Sequence, residues 1–275
     1  MRKSGRRICH TKGRALPFVK SYKPRPSGGK AKEHPPVPND RLHTEYPQHA
    51  VLVAHGQPSD PMPAEEALAD LARSVQAEMP GWVVTSATLA LEGRLEAVCD
   101  AAGPGTVIYP GFMSGGWFAS SVLPRRLEGR NVFMATPLGL DPDLPPLMAE
   151  VLVERAKTCG WALEDTELLL LAHGSGRGTK AAEAVTAFSH ALHDHISLKR
   201  HVLGYVEQPP YVAQAARQVG PQSICLPFFV QEGDHVKNDI AEALNETRFA
   251  GHFLPVIAKI PGVPALIARA IRASA

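Results

Sequence analysis

The sequence predicts an α/β protein made of two similar domains, each a parallel sheet flanked by helices in a tandem repeat, behind a basic tail. One observation is repetition. The apolar run Val51-Leu52-Val53-Ala54 leads into His55-Gly56, and Leu169-Leu170-Leu171-Ala172 leads into His173-Gly174, 118 positions later. Glu65 and Glu183, Gly115 and Gly233, Pro137 and Pro255, and Pro146 and Pro264 keep that offset. The other observation is alternation: short apolar or β-branched runs exchange with amphipathic segments from residue 47 onward. Strand then helix, four times in each unit, is the pattern of a parallel sheet covered on both faces. The units are expected over 47–163 and 164–275, close to the usual size of a domain.

In the first unit, strands are expected near 50–54, 82–88, 105–109 and 131–135. Helices follow them near 64–78, 91–101, 118–128 and 143–158. The second unit repeats the order, with strands near 167–172, 201–206, 222–227 and 252–257. Its helices fall near 179–195, 208–218, 237–246 and 262–273. Crossovers between parallel strands are right-handed, and ligands of such sheets sit beyond the carboxyl ends of the strands. His55 and His173 directly follow the first strand of their units, Glu207 ends the second strand of its unit, and His235 lies in the loop after the third. Topology therefore sends His173, Glu207 and His235 to one rim. At the constant offset His235 falls on Trp117 and Glu207 on Leu89, so one unit is equipped for chemistry and the other reads as its scaffold.

Composition narrows the class. Of 275 residues 44% are hydrophobic, enough for real cores, and no run approaches the roughly 18 apolar residues of a membrane span. Cys9, Cys99, Cys159 and Cys225 are scattered and make no C-x-x-C pair, which favours a reducing, cytoplasmic setting over a disulfide framework. The net charge of +2 hides an asymmetry: residues 1–46 hold 12 Lys/Arg against 3 Asp/Glu, and six prolines. That segment reads as a disordered tail without the apolar core of a secretory signal. Its cations can attract an anionic surface. The plainer reading, a dispensable extension or a start codon placed too far upstream, is preferred, and nucleic acid is not expected as a partner.

A single histidine at a strand end is more often a hydrogen-bonded structural residue than a ligand. His173, however, has company. His235 lies 62 residues on, in the polar loop Glu232-Gly233-Asp234-His235-Val236-Lys237-Asn238-Asp239, after the apolar Ile224-Cys225-Leu226-Pro227-Phe228-Phe229. Imidazole suits divalent first-row metals, and a carboxylate beside it acts as ligand or base. Two histidines and Glu207 leave coordination positions free, as a metal that must be passed on requires. The turn Gly174-Ser175-Gly176-Arg177-Gly178-Thr179-Lys180 opens a helix and offers backbone N–H groups to an anion. It fails both G-x-x-x-x-G-K-[ST] and G-x-G-x-x-G, so ATP and NAD are not favoured. Arg177 and Lys180 remain candidates for substrate carboxylates. His190 and His193, one helical turn apart, read better as a solvated helix end than as a metal pair.

The strand into Ala172-His173-Gly174-Ser175, followed by Pro227-Phe228-Phe229 and Gly233-Asp234-His235-Val236-Lys237-Asn238-Asp239-Ile240, resembles the class II chelatases, over residues 47–275. Within them it looks most like the sirohydrochlorin chelatases of cobalamin and sirohaem biosynthesis, whose larger members are tandem repeats. That resemblance implies insertion of cobalt or iron, with nickel as a further candidate, into a tetrapyrrole without ATP or any organic cofactor, the metal being a substrate. It implies that His173 and His235 hold the metal or accept pyrrole protons, with Glu207 matched less securely. Insertion removes two pyrrole N–H protons while the ion sheds water, which suits a base titrating near the working pH and ligands that replace that water. A polycarboxylate substrate needs cations at the margin of its cleft: Arg177, Lys180 and Lys237 on one side, Arg125 and Arg126 on the other. Ser175 lies at the same rim, and Trp117, with Phe118, can stack on the macrocycle or serve as ordinary packing. His55 is placed with the substrate-binding residues without a defined role. Two fused units already supply a pseudo-twofold cleft, so a monomer is expected. A non-catalytic tetrapyrrole or metal carrier, and a phosphate or nucleotide enzyme using Gly174 to Lys180, are the alternatives.

Overall fold

The computed structural model describes residues 48–176 and 178–275. The basic tail over 1–46 and Arg177 lie outside the described residues. In the first half the order is β1 (Gln48–Ala54), α1 (Pro61–Ala77), β2 (Trp82–Thr88), α2 (Arg94–Ala102), β3 (Thr106–Pro110), α3 (Leu123–Arg126), β4 (Val132–Met134) and α4 (Leu144–Thr158). The second half repeats it as β5 (Glu167–Ala172), α5 (Lys180–His193), β6 (Arg200–Tyr205), α6 (Val212–Ala216), β7 (Ser223–Pro227), α7 (Ala241–Glu246), β8 (His252–Phe253) and α8 (Val263–Ala273). All strand pairings are parallel, in the orders β2-β1-β3-β4 and β6-β5-β7-β8. The α/β repeat expected from the sequence is therefore the fold.

Several elements are shorter than the sequence suggests: the helices expected at 118–128 and 237–246 open as π-helical turns, Phe118–Val122 and His235–Ile240, before α3 and α7. The helix expected at 208–218 begins only at Val212, because a residue preceding proline is pushed out of the helical region, and Gln208 and Pro209 both precede prolines. The strand expected at 252–257 is reduced to His252–Phe253, since Pro255 has no N–H to continue a ladder.

The apolar runs of β1 and β5 are continuous because both faces of each strand are covered. Successive side chains point to opposite faces. Leu52 and Leu168, Leu170 and Ala172 enter a core shared by both halves, together with Leu68, Met148, Val185, Leu266 and Ile271. Val51 and Val53 enter an outer core with Leu95 and Leu123, and Leu169 and Leu171 enter its counterpart with Cys225 and Ile240. The shared core is built by exchange: α8 packs on α1 and β3, while α4 packs on α5 and β7. Since α1 corresponds to α5 and α4 to α8, these contacts are reciprocal, as across a twofold axis. The described residues make one compact unit, and no helix among them is long and apolar enough to cross a membrane.

Hydrogen bonding corrects the repeat register. The amides of Leu89 and Ala90 donate to Ala54 and His55, whereas those of Val206 and Glu207 donate to Ala172 and His173. Ala90, not Leu89, therefore stands where Glu207 stands. One residue fewer lies between the first two strands of the second half, so the offset there is 117. The shift persists beyond β3 and β7, where Ser120 N–H donates to Gly116 and Lys237 N–H donates to Gly233. Phe118 is thus the counterpart of His235, and Trp117 that of Asp234.

Candidate active site

Each sheet reverses its strand order between its first and third strands, and the loops at that switch point part to leave a crevice. In the second half those loops follow β5 and β7. His173 is the first residue after β5, and His235 opens a π-helical turn, His235–Ile240, that runs into α7. Glu207 follows β6, tied to the end of β5 by its amide bond to the His173 carbonyl at 2.9 Å. Gly174 makes this meeting possible. Its φ is +72°, and a Cβ there would lie 2.7 Å from Gln208 Cγ and 3.0 Å from Tyr205 Cβ.

The expected constellation is brought together. Ligand atoms of His173, Glu207 and His235 all lie within 4.8 Å of one another, the one such group of three among the described residues. The His173 and His235 rings meet edge to face with centroids 4.5 Å apart, and His173 Nδ1 is 3.8 Å from Glu207 Oε2. All three side chains keep 40–48% exposure, so ligands and protons can come and go. His235 Nδ1 is 2.6 Å from Asp239 Oδ2, and His173 Nδ1 is 3.2 Å from the Gly174 carbonyl. A carbonyl or carboxylate oxygen can only accept, so Nδ1 carries the proton in both rings, and Nε2 is the nitrogen whose lone pair the neutral imidazole offers. The set is two imidazole nitrogens and one carboxylate with coordination positions to spare, suited to a divalent first-row ion held in transit.

An open cleft of about 700 Å³ adjoins Glu207, lined by Ser175, Gly176, Glu207 and Tyr211. Ser175 N–H donates to Gln208 Oε1 at 2.8 Å, which fastens the glycine-rich turn to the Glu207 loop. Lys180 opens α5 and Lys237 sits on the π-helical turn; both are exposed and in no ion pair among the described residues. Arg125 is equally without an ion pair there, but Arg126 is spoken for. It forms a two-pronged pair with Glu96 at 2.6 Å and donates to the Leu89 carbonyl, so it serves the fold and not the rim.

His55 is not part of the triad. It repeats the His173 position, its Nδ1 donating to Gly56 O at 2.7 Å, but it meets Phe118 edge-on at 4.1 Å where His173 meets His235. Trp117 stands 61% exposed on the same rim. His193 faces His201, with ring centroids 5.8 Å apart, instead of joining His190 in a metal pair. Asp239, Gln208 and Tyr211 were missed as site residues. The signal for Asp239 was present, four residues after His235 and so one helical turn away; Tyr211, which lines the cleft, carried none.

Two open parallel sheets joined by reciprocal helix exchange, with a His-Glu-His group at one switch point, define the class II chelatase type. A family model described as CbiX matches residues 167–274. A solved CbiX, described as the terminal enzyme of sirohaem biosynthesis in denitrifying bacteria, is 40% identical over 83% of this chain and 100% of its own, with a TM-score of 0.75. The chain belongs to the CbiX family of class II chelatases. Two structures of SirB share the fold: one from Bacillus subtilis with Fe3+ (16% identity, 83% of this chain and 96% of the other, TM-score 0.65) and one from its subspecies spizizenii with cobalt (14%, 83% and 95%, 0.61). A search of curated proteins returned no match.

Proposed function

We propose that this protein inserts cobalt or iron, as a divalent ion, into sirohydrochlorin without ATP, in the making of sirohaem or cobalamin. The observation that carries the proposal is the His173-Glu207-His235 group at the rim of an open cleft. Membership of the CbiX family, and the Fe3+ and cobalt found with the SirB proteins, support the same reading.

In this mechanism Nε2 of His173 and of His235 take the ion with the Glu207 carboxylate, replacing part of its water shell before the macrocycle arrives. Two pyrrole N–H bonds break as two nitrogen–metal bonds form, and the two protons leave. Glu207 is placed to accept one, being half-exposed and next to the cleft, and the other passes to solvent through the open rim. Ser175, Lys180, Lys237 and, on the opposite half, Trp117 would meet the substrate. Arg177 and His55 are carried as further candidates, and no part is assigned to the domain boundary or to residues 1–46.

The test is an anaerobic absorbance time course with sirohydrochlorin and cobalt(II) or iron(II). The expected result is insertion faster than the protein-free control, lowered roughly 10²–10⁴-fold in a folded His173→Ala variant. A spectral shift on mixing with no acceleration would make the protein a carrier. Full activity in folded His173→Ala and His235→Ala would remove both residues from the site.

A further inference from the structure

The first half keeps a histidine, His55, at the His173 position, but Ala90 stands where Glu207 stands and an aromatic ring, Phe118, where His235 stands. Phe118 occupies the His235 position and Trp117 the Asp234 position, in the register that the hydrogen bonds define. Trp117 is 61% exposed, a position in which a large indole contributes little to folding. It is held in place: its ring centroid lies 5.1 Å from that of Phe118, which in turn meets His55 edge-on at 4.1 Å. The guanidinium of Arg125 sits 5.9 Å from the indole centroid, in no ion pair among the described residues, with Nε donating to Ser121 O at 3.1 Å.

The loop that follows His55 reaches the residue beside His235. Two residues after His55, Gln57 donates its side-chain amide to the carboxylate of Asp234, the residue before His235. The reciprocal relation of the halves carries that pair onto Ser175 and Trp117, because Gln57 corresponds to Ser175 and Asp234 to Trp117. Ser175 lines the cleft beside Glu207.

We propose that Trp117, braced by Phe118 and His55 and flanked by Arg125, is a macrocycle-binding platform supplied by the catalytically silent half. The occupant is the polycarboxylate tetrapyrrole of the chelation reaction, so the proposal rests on the chelatase reading. The indole face takes the flat conjugated ring, and Arg125 pairs with a peripheral carboxylate. Division of the site follows: the second half holds the ion, the first half holds the ring. His55 then has a structural part in the platform, and its loss of a ligating partner is explained by Phe118.

The experiment is a metal-free titration of sirohydrochlorin against wild type, Trp117→Ala, Trp117→Phe and Arg125→Gln, paired with steady-state insertion and with cobalt(II) titration in the absence of tetrapyrrole. Trp117→Ala is expected to raise the tetrapyrrole Kd and KM about ten-fold, with kcat changing less and cobalt affinity unaltered. Trp117→Phe should recover most of the loss. Arg125→Gln should cost roughly three-fold, and less at high salt. An active wild type together with a Trp117→Ala variant of unchanged KM would overturn the platform while leaving the chelatase standing. A wild type that neither binds nor metallates the tetrapyrrole would overturn both.

Discussion

Replacing Asp239 by alanine removes the acceptor that holds the His235 ring, and the size of the effect follows from how that ring is held. The Nδ1–Oδ2 distance is 2.6 Å, and no other hydrogen bond to the His235 side chain is found among the described residues. Without the carboxylate, the proton is free to sit on either nitrogen and the ring is free to turn about χ2, so only a fraction of the population offers an Nε2 lone pair to the ion. Loss of such an orienting partner costs about 10- to 100-fold in metal affinity, which is about 1.4–2.7 kcal/mol. Asp239 is half-exposed, with 52% of its side-chain surface accessible, so its removal should shift folding stability by no more than about 0.5 kcal/mol. The assay is a cobalt(II) titration of the protein alone at fixed pH, read in the ligand-field absorbance, beside a urea melt. Asp239→Asn, which keeps a neutral acceptor, should fall between wild type and Asp239→Ala. A cobalt Kd within two-fold of wild type in a folded Asp239→Ala protein would refute the argument, since His235 would then need no orientation.

Glu65 and Glu183 occupy matching positions yet should differ in consequence. Glu65 is buried and accepts from the Thr88 amide at 2.8 Å and from Arg94 Nε at 3.0 Å, so Glu65→Ala strands a buried donor and should cost about 2–3 kcal/mol in a urea melt. Glu183 is exposed in the first turn of α5, and Glu183→Ala should cost less than about 1 kcal/mol; equal losses would void the distinction. Burial lowers the pKa of His201, with His193 adding to the effect, and burial together with Arg155 lowers that of His252. The unfolded chain therefore binds more protons as pH falls, so this contribution to stability is complete above about 6.5 and is lost as pH drops toward the folded values. Denaturation midpoints at pH 7.5 and pH 5.5 should show that loss, and His201→Asn should reduce it; a pH-independent midpoint would contradict the assignment.

Much of the fold was legible because β1 and β5 are buried on both faces, and such strands must be written as unbroken apolar runs, Val51 to Ala54 and Leu168 to Ala172. The triad was legible for a related reason: a residue directly following a strand of an open parallel sheet has little choice of where to go. The register was not. A one-residue difference between the first two strands leaves each half regular, and only the amide bonds of Ala90 and Glu207 reveal it. Arg126 looked like a rim cation in the sequence because nothing there marks Glu96, thirty residues away, as its partner. The reciprocal exchange of α4 and α8 was equally hidden, since it depends on contacts between halves that each helix could have made within its own.

The exchange bears on why the repeat could diverge. Since α4 lies on β7 and α8 on β3, each sheet takes part of its cover from the other half, and a first unit without the His-Glu-His group is still required by the fold. What the first unit had to keep was its core and its rim, not its ligands. At the end of β2 the buried Glu65 ties down the Thr88 amide and Arg94, whereas Tyr205 and Tyr211 stand at the corresponding places in the second half. Beyond β6 lies the cleft that Glu207 shares with Tyr211. A planar ring carrying carboxylates on its edge and a metal at its centre presents unlike demands to the two surfaces that enclose it. Identical units would offer both surfaces the same lone pairs and bind two ions where one is needed. Phe118 at the His235 position removes that ambiguity, and on the platform proposal the indole beside it turns that rim into a surface for the ring.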